Sequence, residues 1–173
     1  MLSLPIHALT RTVLVRPHYP ENVGAAARAI KTMGFTELVL VKPGRLAVPE
    51  HEMARKMAVK SLDVLDAAVR HAKLADAIES DMLVLATTSR RGVSGVQSPR
   101  VAARRAVEHA KQGGRVAVVF GNEKTGLDQD DLRLAHLRLR IPMAADQPSL
   151  NLAQAVQVVT YELLVAGLEA RSQ

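Results

Sequence analysis

Polar side chains that could do chemistry occur in three short segments of the chain, and the first of them contains Glu123. It lies in a turn, Gly121 to Leu127, after an apolar run that is typical of a strand. A carboxylate at the carboxyl end of a strand stands where α/β sheets build binding sites, although a turn with two glycines is also structurally ordinary. Because Gly126 is followed by Leu127 and not by Lys, the turn is not a P-loop. Walker-type nucleotide hydrolysis is therefore excluded.

The second segment, residues 20–28, follows the first predicted strand and carries Asn22, Gly24 and Arg28. Asn22 is of a type that commonly caps a helix, and an Arg on a helix is usually a solvated surface residue. Gly24 weakens the first helical turn, so it indicates close approach by another chain segment or by a ligand. The sequence leaves these alternatives open.

The third segment, residues 141–152, is a loop with two prolines that leads into a long apolar helix. Ser149 is suited to cap that helix. Asn151 is a polar amide at the start of an apolar helix, so it needs either a hydrogen-bond partner or a task. Both interpretations of Asn151 stay open on these residues alone.

Other common site types are not indicated by the sequence. The chain has no cysteine, which excludes disulfides, thiolate metal sites and cysteine nucleophiles. Its six histidines show no metal-ligand spacing, so we predict no metal site. We find neither a defensible Ser/His/Asp arrangement nor a Gly-x-Gly-x-x-Gly dinucleotide fingerprint.

The elements that must position these residues alternate between apolar strands and amphipathic helices. The predicted strands are Thr12–Arg16, Leu38–Val41, Met82–Ala86, Val116–Phe120 and Leu137–Ile141. The predicted helices are Asn22–Met33, Glu52–Lys60, Lys73–Glu79, Pro99–Lys111, Asp128–Ala135 and Ser149 to about Ala170. Almost wholly apolar strands are typical of a parallel sheet covered on both faces. We therefore predict one α/β domain over residues 1–173, with a mostly parallel sheet flanked by helices.

The composition favours a polyanionic partner. Lys and Arg outnumber Asp and Glu by 23 to 17, which gives a formal net charge of +6. Only two Phe and two Tyr occur, so a bound RNA would be held mostly through its phosphates and a shaped pocket. No apolar run approaches the length of a membrane span and no signal peptide is evident, so we expect a cytoplasmic protein.

Together and in this order, the three segments resemble the SPOUT superfamily of RNA methyltransferases, in particular its TrmH-like branch, which methylates ribose 2′-hydroxyls. The matching runs are 22–29, 119–127 and 141–156, and the resemblance extends from about Arg11 to Leu164. Within that branch, residues 29–34 and 154–162 are most similar to bacterial enzymes that methylate an anticodon-loop ribose of tRNA.

The resemblance implies a fold, a cofactor and partners. It implies a C-terminal trefoil knot over about residues 116–170 and a homodimer in which the partner's Arg28 completes each site. It implies an RNA substrate, with tRNA favoured over rRNA, whereas the rival interpretation is a non-catalytic RNA-binding member of the same fold. The implied cofactor is S-adenosylmethionine, held by three loops. The residues of those loops are Thr87, Thr88, Ser89, Gly121, Ile141, Pro148, Ser149 and Leu150.

The same resemblance assigns catalytic roles. Arg28 would activate the 2′-hydroxyl, and we favour an electrostatic role because an Arg seldom loses its proton. Ser149 and Asn151 would hydrogen-bond the hydroxyl and the ribose, while Asn22 and Glu123 would orient Arg28 and the loops. Two departures are visible: relatives often carry Arg at position 122, and close tRNA-modifying relatives carry further residues beyond the knot.

Overall fold

The computed structural model describes residues 2–146 and 150–172, which form one α/β domain around a seven-stranded sheet. The strands are β1 (Thr10–Val15), β2 (Glu37–Val41), β3 (Val69–His71), β4 (Leu83–Thr87), β5 (Val96–Gln97), β6 (Val116–Phe120) and β7 (Leu137–Leu139). Their order across the sheet is β3-β2-β1-β6-β4-β7-β5, and neighbouring strands pair in parallel. The predicted parallel α/β fold is confirmed.

Helices cover both faces of the sheet. They are α1 (Pro5–Leu9), α2 (Pro20–Thr32), α3 (Glu52–Ala58), α4 (Leu62–Asp66), α5 (Leu74–Ala77), α6 (Pro99–Lys111), α7 (Gln129–Arg133) and α8 (Leu152–Arg171). Alternate strand residues point to opposite faces. Leu14, Val118 and Phe120 pack with α2, α6 and α8 in one core. Val13, Val119 and Val84 pack with α5 and α7 in the other. Strand β6, in the middle of the sheet, is apolar throughout because both of its faces are buried.

The predicted boundaries are correct for Val116–Phe120 and Pro99–Lys111 and shift by a few residues elsewhere. Ser98 caps α6, since its hydroxyl accepts from the amide of Val101. Four short elements, α1, α4, β3 and β5, were not predicted, because segments of two to five residues are too short to show a periodicity.

Two predicted helix starts are wrong. Helix α2 begins at Pro20, with Tyr19 at the N-cap position, so Asn22 is inside the first turn and is not the cap. Proline is suited to this place because it lacks the N–H that the first turn leaves unpaired. Helix α8 begins at Leu152 and is capped by Asn151, not at Ser149. Pro148 and Ser149 lie outside the described residues.

Gly24 allows two helices to approach closely. A Cβ built at Gly24 would stand 1.9 Å from the carbonyl oxygen of Ala54 on α3. The approaching group is therefore another chain segment and not a ligand, which decides the alternative left open by the sequence. This contact packs α3 against the first turns of α2 and helps to hold α2 in place beside the site.

Charged side chains pair with each other at the amino ends of the strands. Arg11 contacts Glu37 at 2.6 Å, and Arg115 contacts Glu37 at 3.1 Å and Glu79 at 2.7 Å. The hydrogen bond from Arg115 lowers the pKa of the Glu79 carboxyl. Two cations and two anions thus neutralise each other at this end of the sheet.

Candidate active site

A cavity of about 210 Å³ opens at the carboxyl ends of the central strands. Three loops and the start of α8 surround it, and its lining includes Thr87–Arg90, Gly121–Leu127, Leu139–Ile141, Leu150, Leu152 and Ala155. The structure therefore brings together Thr87, Thr88, Ser89, Gly121, Ile141 and Leu150, six of the eight residues that the resemblance assigns to cofactor binding. The other two, Pro148 and Ser149, lie outside the described part of the chain. Polar loop edges over an apolar floor are typical of a small-molecule site.

The loop after β4 is tied to the strands on both sides of it. The Thr87 hydroxyl donates to the carbonyl oxygen of Val119 on β6 at 3.2 Å. The backbone amide of Thr88 donates to the carbonyl oxygen of Leu139 on β7 at 2.9 Å. These bonds fix the backbone of this loop at the edge of the cavity.

The loop after β6 folds into a tight hairpin on the opposite side of the cavity. The side-chain oxygen of Asn122 accepts from the amides of Lys124 at 2.8 Å and Thr125 at 3.2 Å, and its amide group donates to the carbonyl oxygen of Arg16. A Cβ at Gly121 would stand 2.3 Å from the backbone nitrogen of Leu127. The two ends of the hairpin meet at Gly121, so only glycine fits there. This role of Asn122 was not predicted from the sequence.

A chain of hydrogen bonds links this hairpin to α2 and α8. One oxygen of the Glu123 carboxylate accepts from the Asn22 side chain at 3.0 Å, and the two oxygens accept from the amides of His18 at 2.8 Å and Tyr19 at 3.1 Å. The Asn151 side chain donates to the Asn22 side-chain oxygen at 3.0 Å. Three of the predicted catalytic residues, Asn22, Glu123 and Asn151, are therefore in direct contact.

The direction of this chain is set at its α8 end. The side-chain oxygen of Asn151 accepts from the amides of Ala153 at 2.9 Å and Gln154 at 3.3 Å, as an N-cap does. Its NH₂ group must then face Asn22, and the NH₂ group of Asn22 must face the Glu123 carboxylate. Asn151 thus has a partner and a capping task, both of which were open possibilities from the sequence. Asn22 and Glu123 thus join α2, the start of α8 and the hairpin after β6.

Arg28 does not join this cluster within one chain. It is exposed on α2, it does not line the cavity, and its guanidinium makes no hydrogen bond or ion pair with any residue that the structure describes. Arg28 lies six residues after Asn22, which places the two side chains on different faces of the helix. Within one chain, Arg28 therefore lies outside the lining of the cavity.

The rim of the cavity carries exposed groups that the sequence did not single out. The rings of His18 and Tyr19 are 4.7 Å apart, edge to face, and the Lys124 ammonium lies 5.6 Å from the Tyr19 ring centre. Arg90 reaches across the cavity mouth to the carbonyl oxygen of Thr125 at 3.4 Å. The proximity of position 19 to Glu123 could not be read from residues that lie about a hundred positions apart.

The described residues contain neither a metal-ligating group nor a membrane-spanning helix. Within residues 2–146 and 150–172, His, Asp and Glu side chains form no group of three or more that could hold a metal ion. In the same ranges, no helix has both the length and the hydropathy needed to cross a membrane.

Comparison with known proteins identifies the family. The profile of the SpoU rRNA methylase family matches residues 10–161, which is most of the chain. The chain belongs to the SpoU rRNA methylase family. The match includes all three polar segments and every strand of the sheet.

Relatives in the SpoU family include tRNA-modifying enzymes. A tRNA (cytidine/uridine/adenosine-2′-O-)-methyltransferase TrmJ from Pseudomonas aeruginosa is 40% identical over 165 residues, which cover 94% of this chain and 63% of that protein. The corresponding TrmJ from Pectobacterium atrosepticum is 37% identical over 161 residues, which cover 92% of this chain and 65% of that protein. The chain thus spans slightly less than two thirds of the length of these curated relatives.

Solved SpoU-like structures agree with the fold described above. A probable methyltransferase from Bordetella pertussis is 39% identical with a TM-score of 0.87, covering 91% of this chain and 95% of that one. TrmJ from Z. mobilis is 37% identical with a TM-score of 0.80, covering 91% of this chain and 69% of that one. The similarity in sequence and the similarity in fold each cover more than nine tenths of the chain.

Proposed function

We propose that this chain transfers a methyl group from S-adenosylmethionine to a ribose 2′-hydroxyl of RNA, most specifically of tRNA. The observation that carries the proposal is the cavity between the loops after β4, β6 and β7, joined through Glu123 to Asn22 and Asn151. The tRNA 2′-O-methyltransferase relatives support the reaction and favour tRNA over rRNA. Since this RNA is found in the cytoplasm, we also propose that the protein acts there.

The cavity fits an adenosyl cofactor in its chemistry. Ile141, Met143 and Leu150 are partly exposed and offer apolar surface for a base, and the loop edges at Thr87–Arg90 and Gly121 add polar groups. Gly121 keeps the hairpin closed, so the edge of the cavity stays in place. We propose that Thr87, Thr88, Ser89, Gly121, Ile141, Pro148, Ser149 and Leu150 hold the cofactor. When bound, it supplies a methyl group activated on a positively charged sulfur.

The residues of the chain would align the hydroxyl and balance its charge. A ribose hydroxyl is a weak nucleophile, so it must be held in line with the methyl group and lose its proton as it reacts. We propose that Ser149 and Asn151 hold the ribose, while Asn22 and Glu123 hold Asn151 and the hairpin in position. Arg28 would act electrostatically on the hydroxyl or the adjacent phosphate, because a guanidinium seldom gives up its proton.

We propose further that the chain acts as a homodimer and that the partner's Arg28 completes each site. Arg28 is exposed and unpaired among the described residues, and it does not line the cavity of its own chain. Helix α8 lies beside α2 and exposes an apolar stripe at helical spacing: Val158, Tyr161, Val165 and Leu168. Tyr161 is 51% exposed and Leu168 is 39% exposed. A second copy would cover this stripe and bring its Arg28 near the site.

The path of the chain supports the proposed knot. Strand β7 lies beside β4 in the sheet. The start of α8, in contrast, lies beside α2, as the hydrogen bond from Asn151 to Asn22 shows. Helix α2 follows β1, and β6 and β4 separate β1 from β7 in the sheet. The end of β7 and the start of α8 are therefore separated by the positions of β4 and β6 in the sheet. We propose that α8 is threaded through the loop after β4 or the hairpin after β6.

The function is tested by methyl transfer from labelled S-adenosylmethionine to bulk tRNA and, separately, to rRNA, with wild type and with Arg28→Ala. We expect transfer to tRNA by wild type and at least a hundredfold loss in the variant, because the activating charge is gone. Cofactor binding should stay unchanged, since Arg28 does not line the cavity of its own chain. Equal activity of the variant would remove Arg28 from the reaction.

The remaining alternatives give different outcomes in the same assay. Transfer to rRNA and not to tRNA would show that rRNA, not tRNA, is the substrate. Binding of RNA without transfer to either RNA would favour the non-catalytic RNA-binding alternative. Light scattering at micromolar concentration should give the mass of a dimer, and a monomer would contradict shared sites.

A further inference from the structure

We infer that Tyr19 is a stacking platform for a nucleobase of the RNA strand that enters the cavity, with Lys124 and His18 positioned for an adjoining phosphate. This inference rests on the proposed function and adds a specificity-determining residue to it. Aromatic faces bind bases by stacking, and cationic side chains bind the backbone beside them. The Tyr19 ring is 43% exposed and is flanked by both kinds of group.

The ring stands at the rim of the cavity and is held there. Glu123, which lines the cavity, accepts from the backbone amides of both His18 and Tyr19. Pro20 follows directly and fixes the first turn of α2. Because the backbone on both sides of the ring is fixed, a base that stacks on it loses little binding energy to ordering of the protein.

The aromatic content of the chain makes this position distinctive. Both phenylalanines, Phe35 and Phe120, are buried in the core. The other tyrosine, Tyr161, lies on α8 in the apolar stripe that we assign to the second copy. The chain has no Trp. Of its Phe and Tyr residues, Tyr19 is thus the one left to stack on a base at the rim of the cavity.

The fold does not require the phenol ring of Tyr19. It occupies the N-cap position of α2, yet its side chain makes no capping hydrogen bond. Glu123 is bound by the backbone amide, which every residue except proline provides. Removing the ring therefore leaves the helix cap and the Glu123 contact intact, so the ring is free to serve a ligand.

The neighbouring cation, Lys124, lies close to a second polar group. Lys124 lies 5.6 Å from the ring centre, and its ammonium is 3.5 Å from Nε2 of His18. Lys124 forms no ion pair with a carboxylate of the residues that the structure describes. A phosphate placed between Lys124 and His18 would satisfy both groups while the adjoining base covers the ring.

The test compares methyl-transfer kinetics on bulk tRNA for wild type, Tyr19→Phe, Tyr19→Leu and Tyr19→Ala. We expect the KM for tRNA to rise about tenfold in the Leu and Ala variants, because stacking on one base is lost. The Phe variant keeps the ring and should stay near wild type. The rate at saturating tRNA and the Kd for S-adenosylmethionine should change little in all three, since the ring does not line the cofactor cavity.

Fluorescence gives an independent readout. The chain contains two tyrosines and no tryptophan, so the emission difference between wild type and Tyr19→Phe belongs to Tyr19. We expect tRNA to quench this difference, and inorganic polyphosphate, which has charge but no bases, to leave it unchanged. The emission of Tyr161 in Tyr19→Phe serves as the correction for absorption by the RNA.

The outcomes separate this inference from the proposed function. A wild-type KM in Tyr19→Leu, or quenching by polyphosphate equal to that by tRNA, would overturn the platform while leaving the reaction in place. Failure of wild type to methylate or bind any RNA would overturn the proposed function itself. The melting temperature of each variant should equal that of wild type, which establishes that a change in KM does not come from unfolding.

Discussion

At the scale of single residues, the candidate site depends on the polarity of a short chain of side chains. Asn151 accepts from the amides at the start of α8, so its NH₂ group faces Asn22, and the NH₂ group of Asn22 faces Glu123. Each amide must present its donor side to the next acceptor. At position 22, an Asp has the same shape as Asn but carries only acceptors, so it could not donate to Glu123.

Asn22→Asp should reveal this polarity. The change removes a donor and places a second carboxylate about 3.0 Å from Glu123. We expect the free energy of unfolding at pH 7 to fall by about 1–3 kcal/mol, measured by urea denaturation. Two close carboxylates raise the pKa of one of them, so the folded variant binds a proton more readily than the unfolded one. The deficit relative to wild type should therefore shrink as the pH falls from 7 to 5.

The matched control is Asn22→Ala, which also removes the donor but adds no charge. Its deficit should be nearly the same at both pH values. Equal stability of wild type and Asn22→Asp at pH 7 would show that the hydrogen bond to Glu123 does not set the arrangement.

At the scale of elements, the site is built by loops that meet at the carboxyl ends of parallel strands. The hairpin after β6 closes at Gly121, where no side chain fits against Leu127. The loop after β4 is held from both sides through Thr87 and Thr88. The cavity walls are thus fixed mostly by backbone contacts, and substitutions that move the backbone should affect cofactor binding most.

Gly121→Ala should open the hairpin. Its Cβ would overlap the backbone of Gly126 and Leu127, so the loop must shift. We expect the Kd for S-adenosylmethionine, measured by calorimetry, to rise at least about tenfold. Gly113→Ala is the matched control, because Gly113 has a φ of +84° but open space around it and lies after α6. That variant should lose about 1 kcal/mol of stability and keep the wild-type Kd. An unchanged Kd in Gly121→Ala would contradict this account of the cavity wall.

The sequence predicted most of the elements but not their contacts. Apolar runs such as Val116–Phe120 identify buried parallel strands because both faces must be covered. The start of α2 was misplaced because Asn22 is a good cap by type, while Pro20, two residues earlier, decides where the helix begins. The bonds of Asn22 with Glu123 and Asn151 join residues more than a hundred positions apart, so local patterns carry no information about them. Only the family resemblance grouped these residues beforehand.

At the scale of the whole molecule, the proposed site is shared between two copies of the chain. Arg28 and the cavity lie apart within one chain, and the apolar stripe on α8 provides a surface for the second copy. A shared site means that two inactive variants can restore each other in a mixed dimer.

Arg28→Ala mixed with Gly121→Ala should recover activity. In a mixed dimer one site has an intact cavity together with an intact partner's Arg28, whereas the other site lacks both. Random assortment of equal amounts should give about a quarter of the wild-type rate of methyl transfer to tRNA. Each variant mixed with itself is the control. No recovery after verified subunit exchange would contradict sharing.

The paired charges at the amino ends of the strands have a consequence for the surface as a whole. There, Arg11 and Arg115 form ion pairs with Glu37 and Glu79, so these four charges contribute little electrostatic potential at that end. Lys42, Arg45 and Lys124, by contrast, follow the carboxyl ends of β2 and β6 and have no carboxylate partner among the described residues. These three cations are therefore not neutralised by ion pairs near the carboxyl ends of the strands, where the cavity opens. A polyanion diffusing toward the protein is oriented before contact, and it arrives with the mouth of the cavity facing it.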